Sequence, residues 1–187
     1  REDERGVQAE WLVMQALLRN REGRTEESKA LASEAVAMAP EGDSRVEGLA
    51  YFALASSEKP MEAYGRVVDA YRKAIQHGRA AGNLLVEMVS TATLARLAFE
   101  HGQLHLAFEI AEPVGVRLEE AGVLPPISTV VYGILGEVYY QWHRVEDARR
   151  QIERALELSR LGGYTSGVAG CRVLLSRLAQ LDGDLEE

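Results

Sequence analysis

One cysteine stands among 187 residues, so no intrachain disulfide can form, and Cys171 suits a reducing compartment such as the cytoplasm. Five prolines are too few to interrupt long helices at many points. Basic residues are outnumbered, with 21 Lys and Arg against 29 Asp and Glu for a net charge of −8. A phosphate backbone would meet net repulsion unless one face were strongly basic, and the sequence shows no such face, which argues against direct nucleic-acid contact. The longest uncharged run, Val123 to Gly136, is 14 residues and contains Pro125 and Pro126, too short and too broken to span a bilayer. The first residues, Arg-Glu-Asp-Glu-Arg, carry neither an initiator Met nor a charged-then-apolar leader, so the chain is expected to be a fragment of a longer protein. A glycine-rich loop ending in Gly-Lys-Ser/Thr is also missing, so no phosphate cradle of that kind is encoded.

What is present favours helix. Hydrophobic residues make up 47% and charged residues 27%, a globular balance, and Ala, Leu, Glu and Arg are plentiful. A short unit recurs along the chain, beginning at Gly23, Gly65, Gly102 and His143, each followed five residues later by a small residue: Ser28, Ala70, Ala107 and Ala148. Those small residues lie 42, 37 and 41 positions apart, and Gly183, which opens a truncated fifth copy, lies 40 after His143. The period is therefore about 40 residues. Apolar stretches with helical spacing flank each unit, such as Leu94, Leu97 and Ala98 before Gly102, and Ala107, Ile110, Ala111 and Val114 after it, so each unit reads as helix, turn, helix.

The punctuation agrees. Pro40 to Ser44, Gly82-Asn83, Gly122 to Pro126 and Gly162-Gly163 separate the units, with Asn83 and Ser44 as expected N-caps and Gly82 and Gly162 as expected helix stops. The pairs predicted are 7–20 with 25–39, 45–63 with 66–81, 84–101 with 104–121, and 126–142 with 145–161, followed by a last helix over 165–181. Pro60 should kink or end the third helix. A lone helix pair cannot bury its apolar stripe, so neighbouring pairs must stack. The expectation is an all-α, right-handed superhelical solenoid with a concave face, a single domain over 1–187.

Repeat four carries the sharpest pattern. Tyr132, Leu135, Gly136 and Tyr139, followed by Ala148, Ile152 and Ala155, resemble the tetratricopeptide (TPR) motif, with small residues where helices cross closely and tyrosines filling the space between. Repeat one is a looser match through Trp11, Ala16, Ala32, Ala35 and Pro40. A period near 40 exceeds the usual 34, and long helices joined by segments such as 75–83 and 156–162 make the chain similar to the repeat domain of MalT-like, LuxR-type bacterial transcriptional regulators. That resemblance implies a nucleotide-binding module ahead of the repeats and a helix-turn-helix DNA-binding module after them, neither within these residues. It further implies a sensor for signals governing transcription, binding a small-molecule inducer or a regulatory protein in the groove, with DNA reached only through the C-terminal module. A general protein-interaction scaffold of another multidomain signalling protein is the alternative. If the first helix of each pair lines the groove, as in similar proteins, the inward residues are Arg96, Phe99, Glu100, Glu137, Tyr140, Gln141, Arg177 and Gln180.

Other residues point away from catalysis. His101 and His105 are four apart, but Gly102 at the predicted turn separates them, so they do not share a helix face as metal ligands would. His77 stands where a packing Ala is usual, and His143 replaces a turn glycine. Cys171, on an apolar helix without a His or acidic partner in sequence, reads as a buried hydrophobe. Acid pairs Glu26-Glu27 and Glu119-Glu120 sit near helix ends as solvated charge. No catalytic residue, metal site, cofactor or membrane contact is expected. The last helix, if its far side is bare, could self-associate through Val173, Leu174 and Leu178.

Overall fold

The computed structural model describes residues 2–122 and 124–182. Among these residues there are nine α-helices, one 3₁₀ turn over Pro126–Ser128, and no strand. The helices are α1 (Glu2–Arg21), α2 (Thr25–Met38), α3 (Ser44–Ser57), α4 (Pro60–Ala80), α5 (Leu84–Glu100), α6 (Leu104–Glu120), α7 (Thr129–Gln141), α8 (Val145–Leu161) and α9 (Thr165–Asp182). The chain divides into two compact units, Arg1–Ser90 and Thr91–Glu187, the boundary falling in the sequence of α5. The fifth turn expected at Gly183 lies outside the described residues.

Helix reversal follows one local rule. Gly23, Gly42, Gly82, Gly102, Gly122 and Gly163 have φ between 64° and 84°, and His143 has φ 55°, so a left-handed residue recurs about every half period. At Gly23 the chain closes with Gly23 N–H donating to Asn20 O (3.0 Å) and Arg24 N–H to Arg19 O (2.9 Å). This doubled bond satisfies carbonyls that the ending helix leaves unpaired, and it demands a left-handed residue. The same pair of bonds forms at Gly82, Gly102, His143 and Gly163. At the last joint the left-handed stop is thus Gly163 rather than Gly162, whose φ is −84°. Asn83 caps α5 as expected, its Oδ1 accepting from Val86 N–H at 3.2 Å. Before α3 the cap is Asp43, accepting from Arg45 and Val46, because Ser44 already lies inside the helix.

The second pair departs from the repeat. Its turn is not at Gly65, which lies exposed within α4, but at Glu58 and Lys59, both extended (ψ 151° and 115°). Proline excludes the helical conformation from the residue before it and fits the first helical position, where its missing N–H costs nothing. Pro60 therefore starts α4, with α3 ending before it at Ser57 and not kinked, and Ala63 (φ −144°) breaks the helical backbone in the first turn of α4.

In the first unit, α1 packs along α2 and α3, and α3 along α4. The shared core is mostly alanine: Ala16, Ala32, Ala35, Ala50 and Ala53 with Leu12 and Val13. Small residues let helices approach closely, and Gly48 shows the limit, since a Cβ there would lie 3.1 Å from Gly78 N. Ser28 occupies a small-residue position by donating its hydroxyl to Ala16 O at 2.8 Å. Trp11 does not fill the interhelix space; it is 60% exposed. In the second unit, α7 packs on α8, α6 and α9. Gly136 is pressed against Ile152, and Tyr132 is buried, as the repeat motif requires. Thr129 donates to Ala155 O (2.9 Å) and meets Ser159 Oγ (2.7 Å), pinning α7 to α8. Leu178, expected on a bare face, is fully buried; Val173 remains exposed and Leu174 is half-buried.

A groove across the first helices of successive repeats

Within the second unit, α5, α7 and α9 repeat one another in register. Arg96, Phe99 and Glu100 lie at helical spacing on α5, and Glu137, Tyr140 and Gln141 follow 41 residues later on α7. Arg177 and Gln180 lie 40 residues beyond Glu137 and Tyr140, on α9. Repetition at the structural period forces these side chains to one side.

The structure brings six of the eight together. Phe99, Glu137, Tyr140, Gln141 and Arg177, with Gly170, Val173 and Leu174, line a groove of about 330 Å³. Arg96 joins them through a two-pronged ion pair with Glu137, one arm closing Nη2 to Oε1 at 2.8 Å. Such forked pairing fixes both side chains. Hydrogen bonding to Glu137 raises the Arg96 pKa above its ordinary value, against an opposing effect of burial. The guanidinium also lies 5.7 Å from the centre of the Phe99 ring, within cation–π range. Glu100 and Gln180 are exposed and do not line the groove. Gly170, Val173 and Leu174 were not anticipated there, although their position three to seven residues before Arg177 places them on the same face of α9.

The groove lining is apolar at Phe99, Val173 and Leu174 and carries hydrogen-bonding groups at Tyr140, Gln141 and Arg177. Among these lining residues no nucleophile is aligned with a base. A larger cleft of about 610 Å³ opens on the other side of α7, between α6 and α8, with Glu112 and Glu119 on one wall, Arg150 and Arg154 on the other, and Tyr132 and Tyr139 at its base. Burial pushes the hydroxyls of both tyrosines above their ordinary pKa.

Among the described residues no group of three or more His, Cys, Asp or Glu is placed to hold a metal, and no helix is long and apolar enough to cross a membrane. His101 Nδ1 lies 2.8 Å from Leu97 O, whereas the His105 ring lies tilted against Trp142 with centres 5.1 Å apart, so the two imidazoles serve different neighbours. His77 pairs with Glu47 at 3.2 Å and stacks on Tyr51. Cys171 is buried, and burial raises its thiol pKa despite a hydrogen bond with Ser159.

The model of the MalT-like TPR region matches residues 9–187. No curated protein matches. Among solved structures, a crystal structure of nearly identical TPR-like repeats from a Podosopora anserina protein described as a kinesin light chain superposes with a TM-score of 0.67. At 17% identity, with 94% of this chain and 87% of that one covered, the likeness is one of fold. With the helix pairs, their left-handed turns and the family match in hand, the chain belongs to the MalT-like TPR region family.

Proposed function

We propose that this repeat domain is the sensing module of a LuxR/MalT-type transcriptional regulator, binding an inducer or a regulatory protein in the α5–α7–α9 groove. The observation that carries the reading is the groove itself: polar and aromatic side chains recurring at the repeat period, with Arg96 and Glu137 paired and apolar residues in the same lining. Arg and Tyr give flat contact area together with hydrogen bonding, the combination that anchors partners. Family membership supports the regulatory context, and the net charge of −8 leaves DNA contact to a separate module.

Two tests apply. The gene sequence should encode a nucleoside-triphosphate-binding module before this region and a helix-turn-helix module after it; absence of both overturns the regulator reading and leaves a general interaction scaffold. Calorimetry with the intact regulator and candidate effectors should then show Tyr140→Ala and Arg177→Ala each weakening binding about tenfold or more, on the order of 1.4 kcal/mol. If Arg150→Ala and Arg154→Ala in the α6–α8 cleft weaken it instead, the groove assignment fails.

A further inference from the structure

The cleft between α6 and α8 repeats one arrangement twice. Glu112 and Glu119 stand seven residues apart on α6, as do Tyr132 and Tyr139 on α7, while Arg150 and Arg154 stand four apart on α8. The chain reverses before and after α7, so the order along the cleft reverses from helix to helix. The tyrosines register this. Burial is the main cause that raises the Tyr132 hydroxyl pKa, and after it Glu119 raises and Arg154 lowers it. At Tyr139 burial again leads, followed by Arg144 and Asp147, and then by Glu112, which adds to it, and Arg150, which opposes it. One end of the cleft is therefore Glu119, Tyr132 and Arg154, and the other is Glu112, Tyr139 and Arg150. Seven residues of helix separate the ends by about 10 Å.

The two walls do not neutralise each other. Among the described residues the arginines pair along their own helix, Arg150 with Asp147 and Arg154 with Glu157 at 3.9 Å, and no ion pair crosses from α8 to Glu112 or Glu119. Tyr139 is packed by Phe108 and Trp142, ring centres 5.6 and 6.1 Å away. Opposite charges thus face each other across a cavity of about 610 Å³, a volume in the range of small-molecule sites.

A ligand matching such walls carries both signs. Being neutral overall, it is neither drawn nor repelled by the chain's net charge of −8. Three extended residues reach about 10 Å, the distance between the two ends, and a free peptide of that length has an ammonium at one end and a carboxylate at the other. A single amino acid is too short to engage both. The arginine fork suits a carboxylate, a glutamate accepts from an ammonium, and tyrosine hydroxyls both donate and accept. Arg150 is already held by Asp147, whereas Arg154 has only the long contact to Glu157, so the carboxylate belongs at Arg154 and the ammonium at the opposite end, on Glu112. We infer that the α6–α8 cleft is a second binding site, separate from the α5–α7–α9 groove, for a free zwitterionic peptide of about three residues held by its two charged termini.

Trialanine is the probe. Titrated into the chain and followed by NMR, it should bind saturably with a Kd of about 1 mM or tighter, shifting Gly115, Gly122 and Tyr139 more than Phe99 or Tyr140. Trialanine acetylated at its N-terminus and amidated at its C-terminus should bind at least tenfold more weakly, as should alanine alone. Arg154→Gln and Glu112→Gln should each weaken trialanine about tenfold, an effect of one lost charge-assisted contact, whereas Glu119→Gln and Arg177→Ala should not weaken it. Absence of saturable binding overturns the proposal, as does equal binding of the blocked peptide. Affinity indifferent to Glu112 and Arg154, or shifts concentrated in the α5–α7–α9 groove, likewise overturns it.

Discussion

His143 is the residue other than glycine that takes a positive φ among the described residues, and it does so because the doubled turn bond after α7 needs a left-handed residue whatever its side chain. A Cβ in that conformation costs about 1 kcal/mol, and His143 is exposed, with little packing to offset it. His143→Gly should therefore raise stability by up to about 1 kcal/mol in urea denaturation, whereas His143→Val should lower it. Gly136 has the opposite constraint. A Cβ there would meet the buried Ile152 side chain, 2.5 Å from Cγ1, so Gly136→Ala should cost about 1–3 kcal/mol by overpacking. Cys171, buried with a raised thiol pKa, should react with a thiol reagent at neutral pH only as fast as the second unit opens. Rapid labelling of the folded chain would contradict that placement.

At the scale of elements, the joint between α3 and α4 holds the sharpest electrostatic arrangement. The Glu58 side chain is 7% exposed and receives Lys29 at 3.0 Å and Arg66 at 3.3 Å. Burial alone would raise its pKa, but Lys29 and then Arg66 outweigh that and hold it below the ordinary value. A depressed native pKa contributes stability that is complete above the unfolded value, about 4.3 for a glutamate. That contribution is lost as pH falls from there through the lowered native pKa. Acid denaturation of the wild-type chain should therefore steepen below about pH 4.3, and Glu58→Gln should be less stable at pH 7 with the difference vanishing in acid. Equal stability at pH 7 would remove the role assigned to this carboxylate. Across α5 and α7, the part-exposed Arg96–Glu137 pair should show a coupling of about 0.5–1 kcal/mol in a double-mutant cycle; its larger service is to hold one wall of the groove.

For the molecule as a whole, buried alanines at helix crossings alternate with buried Leu, Val and Ile along the core. Contacts run between helices near in sequence, as expected of stacked repeats, in which each pair depends chiefly on its neighbours. Disruption should accordingly be local. Gly136→Ala should increase amide exchange most in α7 and α8 and leave α1 and α2 unchanged; uniform loss of protection over all nine helices would show a single cooperative core instead.

Much of this was legible in the residues. Repetition near 40, small residues at crossings and turn glycines identify helix pairs, because close helix approach and left-handed reversal each admit few residue types; the expected groove positions came from the resemblance to similar proteins, and six of those eight residues lie together. Other features depended on contacts that spacing does not encode. The second reversal moved to Glu58-Lys59 because proline's steric exclusion overrode the repeat's turn at Gly65. Arg96 and Glu137 were both expected on the groove side, but their ion pair depends on how α5 and α7 pack. Trp11 entered as part of a loose match to the repeat motif, but it is 60% exposed, and a motif match states only which residue type stands on a face. Whether that face is covered depends on which neighbouring helix stands against it, and that is a property of the tertiary structure alone.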